Sequence, residues 1–318
     1  MKKYIDAGKV DTRSGFGAGL VIAGRKSDKV LALTADLKGS LKMGAFAKEF
    51  PDRFIQCGIA EANMVGTAAG LAIAGKVPFI GSFAEFVTGR VYDQLRQEVA
   101  YGHTNVKIAS SHAGITLGED GATHQTMEDI ALMRALPGMA VVVPCDYNQT
   151  KNATVAAAKY EGPVYLRFGR PSVPNFTGVD EPFEIGKTYN LNPGTDVTIV
   201  TCGHLVWEAL LAAEALEAEG ISAEVLNAAT IKPFDSGTLL ASVGKTGCAV
   251  VAEEHNCAGG LGETVAAVLA ANNPAPVEFI NGKDRFGQSG TPAELMKAYG
   301  LDSAHIADAA RKAVSRKK

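Results

Sequence analysis

Short apolar, β-branched runs alternate along the chain with longer stretches of mixed polarity. Val30–Thr34, Val77–Ser82, Val106–Ser110, Met139–Val143 and Val164–Phe168 are mostly apolar with no strict in–out alternation, the pattern of strands buried on both faces of a parallel sheet. Gly15–Arg25, Ala60–Ala74, Glu85–Tyr101, Gln125–Leu136 and Asn148–Tyr160 lie between them, each long enough for a helix. Strand–helix alternation with short connections predicts a doubly wound parallel sheet.

The texture changes over Arg170–Gly194, which holds Pro171, Pro174, Pro182 and Pro193 among turn residues. This stretch reads as a linker, with Phe183–Leu191 available as an edge strand of the second half. A second alternating set begins at Asp196. It runs strand Val197–Cys202, helix Val206–Glu219, strand Ala223–Leu226, helix Asp235–Val243, strand Ala249–Glu253, helix Gly262–Ala271 and strand Val277–Ile280. Two closing helices, Pro292–Tyr299 and Ser303–Val314, carry alanine-rich faces, and the basic tail Arg311–Lys318 complements a helix dipole. The expected fold is α/β with two doubly wound domains: residues 1–180 around a parallel sheet, and residues 181–318 around a smaller, mainly parallel one.

A length of 318 residues suits two domains at roughly 100–200 residues each. Lys and Arg number 31 against 34 Asp and Glu, so no basic surplus exists to displace counterions, which excludes nucleic acid and anionic membranes as partners. The widest apolar stretches, such as Met139–Pro144, fall far short of the ~20 residues that span a bilayer. Lys2 and Lys3 precede Tyr4-Ile5-Asp6, which lacks the apolar core of a signal peptide. Five cysteines with no CxxC favour reduced thiols in the cytoplasm over disulfides or a structural zinc. None of this names a chemistry.

Four segments carry residues that could. In Phe54-Ile-Gln-Cys-Gly-Ile-Ala-Glu-Ala-Asn-Met64 a strand feeds a turn and a helix whose first turn holds Glu61. That glutamate either complements the helix N-terminus or, among apolar Ile59, Ala60, Met64 and Val65, gains proton affinity and shares a proton with a heterocyclic nitrogen. Phe83 and Phe86 follow a strand end three residues apart, on one face of a starting helix, as core or as a stacking platform for a planar ligand. The polar loop after Ser110 is longer than the usual two to six residues and holds His112, Glu119, Asp120 and His124. Its histidines stand at no recognised metal-ligand spacing, which favours hydrogen bonding or proton transfer to a polar substrate. Arg167 and Arg170 flank Gly169 at a strand end, suited to an anion or to salt bridges. Ala258-Gly-Gly-Leu-Gly-Glu263 lacks dinucleotide spacing and reads as a helix-opening turn.

In this order the segments resemble the carboxyl-terminal half of transketolases. The likeness rests on Cys57-Gly-Ile-Ala-Glu-Ala-Asn-Met64, Ser82-Phe-Ala-Glu-Phe-Val-Thr88, Gly118-Glu-Asp-Gly-Ala-Thr-His-Gln125 and Arg167-Phe-Gly-Arg-Pro171. Ile231-Lys-Pro-Phe-Asp235, Glu253-Glu-His255 with Gly259-Gly-Leu-Gly-Glu263, and Asp284-Arg-Phe-Gly-Gln-Ser-Gly290 extend it to nearly the whole chain. The resemblance implies a thiamine diphosphate enzyme, with this chain supplying a pyrimidine-binding and a C-terminal domain. It implies that Glu61 bonds the aminopyrimidine and drives proton removal from the thiazolium carbon, while Phe86 stacks on the ring beside Phe83. It further implies that His124 aids proton transfer at the substrate carbonyl, that Asp120 holds a substrate hydroxyl, and that Arg13, Ser40, His112 and Arg170 grip a sugar phosphate.

The chain departs from the family in one decisive respect. The resemblance calls for Gly-Asp-Gly followed downstream by Asn-Asn, which hold metal and diphosphate, yet no Gly-Asp-Gly occurs and the only Asn-Asn, Asn272-Asn273, precedes Pro274. No metal ligand is assigned to this chain, because a diphosphate normally shares its Mg²⁺ with carboxylates. The expected protein is the carboxyl-terminal subunit of a split transketolase, paired with an amino-terminal subunit that carries most of the metal site. Two copies of each chain form the expected assembly, which moves a two-carbon ketol unit between phosphorylated sugars in the pentose phosphate pathway. Gly89 is a second departure, where some relatives place an aromatic or arginine. The same two-part build also serves 2-oxo-acid dehydrogenase beta subunits, deoxyxylulose-phosphate-synthase relatives and non-catalytic relatives. The spelling Gly118-Glu-Asp-Gly-Ala-Thr-His124 before Gln-Thr-Met-Glu-Asp129 favours transketolase, and retained Glu61, Asp120 and His124 speak against lost activity.

Overall fold

The computed structural model describes residues 4–317; Lys2, Lys3 and Lys318 lie outside them. After β1 (Lys9–Asp11), Asp11 accepts the Ser14 N–H and so starts α1 (Thr12–Lys26). There follow β2 (Val30–Thr34), α2 (Gly44–Glu49), β3 (Phe54–Gln56), α3 (Glu61–Ile73) and β4 (Val77–Phe83). Next come α4 (Ala84–Val87), α5 (Tyr92–Gln94), β5 (Lys107–Ser111), α6 (Asp129–Ala135), β6 (Ala140–Val142), α7 (Tyr147–Lys159), β7 (Val164–Arg167) and β8 (Ser172–Pro174). The second half holds β9 (Tyr189–Asn192), β10 (Val197–Thr201), α8 (Leu205–Ala218), β11 (Ala223–Asn227), β12 (Thr230–Lys232), α9 (Ser236–Thr246) and β13 (Ala249–Ala252). It closes with α10 (Leu261–Asn272), β14 (Val277–Ile280), α11 (Pro292–Tyr299) and α12 (Ser303–Ser315).

Two α/β sheets result, as the alternating pattern predicts. The larger has seven strands in the order β12-β6-β7-β5-β4-β2-β3, the smaller five in the order β14-β13-β10-β11-β9. Both are parallel except at one edge each, where β12 lies antiparallel on β6 and β9 antiparallel on β11. The strand β12 belongs to the second half in sequence yet completes the first sheet. Its three residues, Thr230-Ile231-Lys232, are too short a run to register as a strand by pattern. A single hydrophobic core joins Leu33, Ile80, Ile108 and Val141 of the larger sheet to Val200, Leu226 and Val251 of the smaller. The edge strand expected within Phe183–Leu191 forms only over its end, as β9.

Two predicted helices differ from expectation. Glu85–Tyr101 does not form one helix. After α4, Thr88 turns its hydroxyl back onto the Ala84 carbonyl at 2.6 Å, the chain bends through Gly89–Val91, and α5 runs on as a π-helix over Leu95–Tyr101. The helix expected from Gln125 starts only at Asp129, because Gln125–Glu128 finish the long loop. Among the described residues no helix is long and apolar enough to cross a membrane.

Candidate active site at the carboxyl edge of the larger sheet

Parallel strands direct all their carboxyl ends to one edge, which is where ligands bind in sheets of this kind. Here that edge gathers Phe83 from the end of β4, His112 from just beyond β5 and Arg170 from beyond β7. Glu61 opens α3 with its side chain buried at 5% exposure. Sequence alone surrounds that carboxylate with apolar groups; the fold instead brings Arg90 to it, Nη1 to Oε1 at 3.1 Å, and leaves Ile59 exposed. The same guanidinium lies over the Phe86 ring, its central carbon 4.1 Å from the centroid. Phe86 in turn stacks on Phe83 at 5.7 Å and 18°, and takes the edge of His124 at 5.3 Å and 69°. Phe83 stacks on His112, centroids 3.8 Å apart. Glu61, Arg90, Phe86, Phe83 and His112 therefore form one connected run of contacts, with His124 branching from Phe86.

His112 sits in the left-handed region, φ 59°, where the chain leaves β5. The Ser111 hydroxyl lies 2.6 Å from Nδ1. Burial, then the charges of Arg13 and Arg170, push the imidazole down to about 3, so it is neutral at ordinary pH. With the hydroxyl donating to Nδ1, Nε2 is left as a neutral N–H donor. Arg13 is held by Asp11 at 3.2 Å and donates to the Ser40 carbonyl at 3.3 Å, a contact with the backbone and not the hydroxyl. Burial lowers its proton affinity, Asp11 opposes this, and the neighbouring Arg170 lowers it further. Arg170 donates to the Leu117 carbonyl at 2.7 Å and to Glu119 at 2.9 Å. Two guanidinium groups and a neutral imidazole thus share a neighbourhood, and with the Nε2–H tautomer they make the donor set of an anion site.

The loop between His112 and Asp129 is built, not slack. Gly114 N–H donates to the Thr126 carbonyl at 2.9 Å, closing the loop's neck. Gly114 has φ +79° and lies so close to Glu254 that a Cβ would fall 2.3 Å from its carboxyl carbon, so only glycine serves. The buried Gln125 amide donates to the Ile115, Gly118 and Gln288 carbonyls at 3.0–3.1 Å. Asp120 stands exposed on this loop.

Arg167, a candidate for anion binding, is instead buried against Asp129 at 2.6 Å. Burial alone would lower the guanidinium's proton affinity and raise that of the carboxyl; each charge reverses the other's shift, and the pair stays ionised. The glycine turn at 258–263 opens α10, and the Glu253 carboxylate already takes the Leu261 and Gly262 N–H groups at 2.7 and 2.8 Å, which closes that helix end to a phosphate. Among the described residues no group of three or more His, Cys, Asp or Glu side chains is placed to hold a metal. All five cysteines are free. Sequence reasoning missed Arg90: its acceptor Glu61 lies 29 residues away, and the helix that carries Phe86 ends at Val87, so no helical spacing links the two.

The transketolase pyrimidine-binding domain matches residues 8–175, and the transketolase C-terminal domain matches residues 186–306. A chain of Methanocaldococcus jannaschii assigned as a transketolase C-terminal section is 47% identical over 298 residues, 93% of each chain. A 6-deoxy-6-sulfo-D-fructose transketolase subunit of a Clostridium species is 43% identical over 92% of this chain and 91% of its own. A solved structure described as a split gene transketolase, inactive β4 tetramer, superposes with a TM-score of 0.90 at 44% identity, covering 98% of this chain and 100% of that one.

Proposed function

The chain belongs to the transketolase family as a carboxyl-terminal subunit of the split kind, and we propose that an amino-terminal subunit completes it into a thiamine diphosphate enzyme. The reaction we propose moves a two-carbon ketol unit between phosphorylated sugars. In this reading residues 1–180 are the pyrimidine-binding domain and residues 181–318 the C-terminal domain. The cytoplasm is the proposed setting, in keeping with five unpaired cysteines.

One observation carries the reading. The Arg90 guanidinium, a planar group with an N–H edge, donates to Glu61 and lies over the face of Phe86. A planar aminopyrimidine with a ring nitrogen and an amino group suits the same two partners. The residues thus fit the cofactor's pyrimidine half. Thiamine diphosphate, when bound, supplies the acidic thiazolium carbon that carries the two-carbon unit. Glu61 holds a proton at the pyrimidine nitrogen, with water kept away by its 5% exposure. Phe86 and Phe83 orient the ring, and His124, edge-on to Phe86, moves a proton at the substrate carbonyl. Asp120 on the long loop takes a substrate hydroxyl. Arg13, Arg170, Ser40 and the neutral His112 N–H take the sugar's terminal anion, which a phosphate or a sulfonate would both satisfy.

The metal and diphosphate contacts fall to the partner in this reading, Mg²⁺ being the ion proposed. Two supports are the missing Gly-Asp-Gly and the similar split chain described as inactive in a tetramer of its own kind. Ile59, 80% exposed two residues from Glu61, gives the partner an apolar surface to cover, and two copies of each chain are proposed. The test is an assay of the reconstituted pair with xylulose phosphate, a sulfonated ketose and pyruvate as alternative donors. Turnover with a ketose and an aldose acceptor supports the reading; turnover confined to pyruvate overturns it.

A further inference from the structure

The smaller sheet has a crevice of its own. From β10 the chain moves to β11 on one side and then, after α9, to β13 on the other, so the strand order reverses between β10 and β13. In open α/β sheets the space outside the carboxyl ends of two such strands is where a ligand sits. Here residues of the larger sheet fill it. Arg167, from the end of β7, donates to the Glu254 carbonyl at 2.9 Å, just past β13. Gly169 packs so closely on His204, at the start of α8, that a Cβ would fall 2.0 Å from the ring.

The tripeptide after β13 makes three different attachments. Glu253 holds the start of α10. His255 Nε2 accepts the Ala131 N–H of α6 at 3.3 Å. Glu254, 5% exposed, accepts the Thr116 N–H at 2.7 Å, in the middle of the loop that carries His112, Asp120 and His124. Thr116 lies in a short turn over Ile115–Leu117, and the Leu117 carbonyl is the acceptor for Arg170. Burial keeps the Glu254 carboxyl's proton affinity high, with Arg167 and the Thr116 N–H pulling against it.

We propose that Glu254 is a positioning residue, through which the second half of the chain sets the backbone of the 112–128 loop and with it the placement of His124 and Arg170 toward substrate. This rests on the transketolase reading for its catalytic consequence, though not for its structural one. It gives the second half a task in the reaction, exercised through the backbone of the loop. Glu61, on α3, is not part of the 112–128 loop, and its own hydrogen-bond partner is Arg90, not Glu254.

The experiment uses the chain reconstituted with its amino-terminal partner and three variants. Glu254→Ala removes the acceptor, Glu254→Gln keeps an oxygen for Thr116, and Thr116→Pro deletes the N–H from the opposite side. Glu254→Ala and Thr116→Pro should each speed amide hydrogen exchange over residues 114–126 at least tenfold. Each should also lower kcat at least tenfold, with thiazolium proton exchange within twofold of the unsubstituted pair. Glu254→Gln should restore both loop protection and kcat to within threefold. Unchanged loop exchange in the alanine variant overturns the proposal, as does an equal loss of kcat in the alanine and glutamine variants, or a loss of thiazolium exchange that parallels the loss of kcat. If the unsubstituted pair shows no ketol transfer, the functional reading fails, while loop exchange still decides the role of Glu254.

Discussion

Arg90 Nη1 stands 3.1 Å from Glu61 Oε1 while the same guanidinium covers the Phe86 ring. One exposed cation therefore occupies the gap between a buried carboxylate and an aromatic face, and anything planar that enters must move it. Removing the carboxylate, or the cation itself, has measurable consequences.

Glu61→Gln keeps the shape of the side chain and removes its ability to hold a proton. In the reconstituted pair it should slow thiazolium proton exchange by about a hundredfold to ten-thousandfold, the usual worth of a placed acid or base. The melting temperature of the chain should barely change. Exchange at the unsubstituted rate would show that a different carboxylate does the work.

Arg90→Ala should leave cofactor affinity in the reconstituted pair unchanged or tighten it by up to about fivefold, since an ion pair whose cation is half exposed is worth about 1 kcal/mol. Titration calorimetry reads this directly. A tenfold weakening would mean that Arg90 grips the cofactor rather than keeping its place.

Arg170→Ala should raise KM for phosphorylated sugars about tenfold to a hundredfold with a smaller effect on kcat, because a charge-assisted contact contributes roughly 1.5–3 kcal/mol. Arg13→Ala should act in the same direction. Donors lacking the terminal anion should be nearly insensitive to both changes, and equal sensitivity would remove these arginines from the anion site.

His112 and His204 are both held neutral, the first at about 3 and the second, by burial and then the charge of Arg167, at about 4. The unfolded chain protonates each near pH 6.5, so between there and the folded values the unfolded state binds more protons. Their contribution to stability is complete above about pH 6.5 and falls as pH drops, by at most about 1.4 kcal/mol per pH unit for each histidine. Urea unfolding from about pH 7 to about pH 5 should show this slope, and His204→Phe should flatten it. A slope identical in the variant would place the acid sensitivity elsewhere.

The strands were legible because continuous apolar runs such as Val30–Thr34 and Val77–Ser82 fit only a sheet covered on both faces. Phe83, Phe86, His112 and His124 could be found because a strand end and an overlong loop announce themselves in one dimension. Arg90, Glu254 and β12 could not. Their partners lie 29, 138 and, for β12, about ninety residues away in sequence, and only packing brings them together. The break in Glu85–Tyr101 is a middle case. Thr88 and Gly89 are weak helix formers, but their neighbours outvote them in a pattern read by periodicity alone.

The borrowed strand β12 has a practical consequence. A fragment ending at the proline-rich stretch would carry six of the larger sheet's seven strands and leave one flank of β6 bare, with its amide and carbonyl row open to the first passing chain. Such a fragment invites clumping, and a cleaner dissection of this polypeptide would carry Thr230–Lys232 along, tethered by a short artificial hinge.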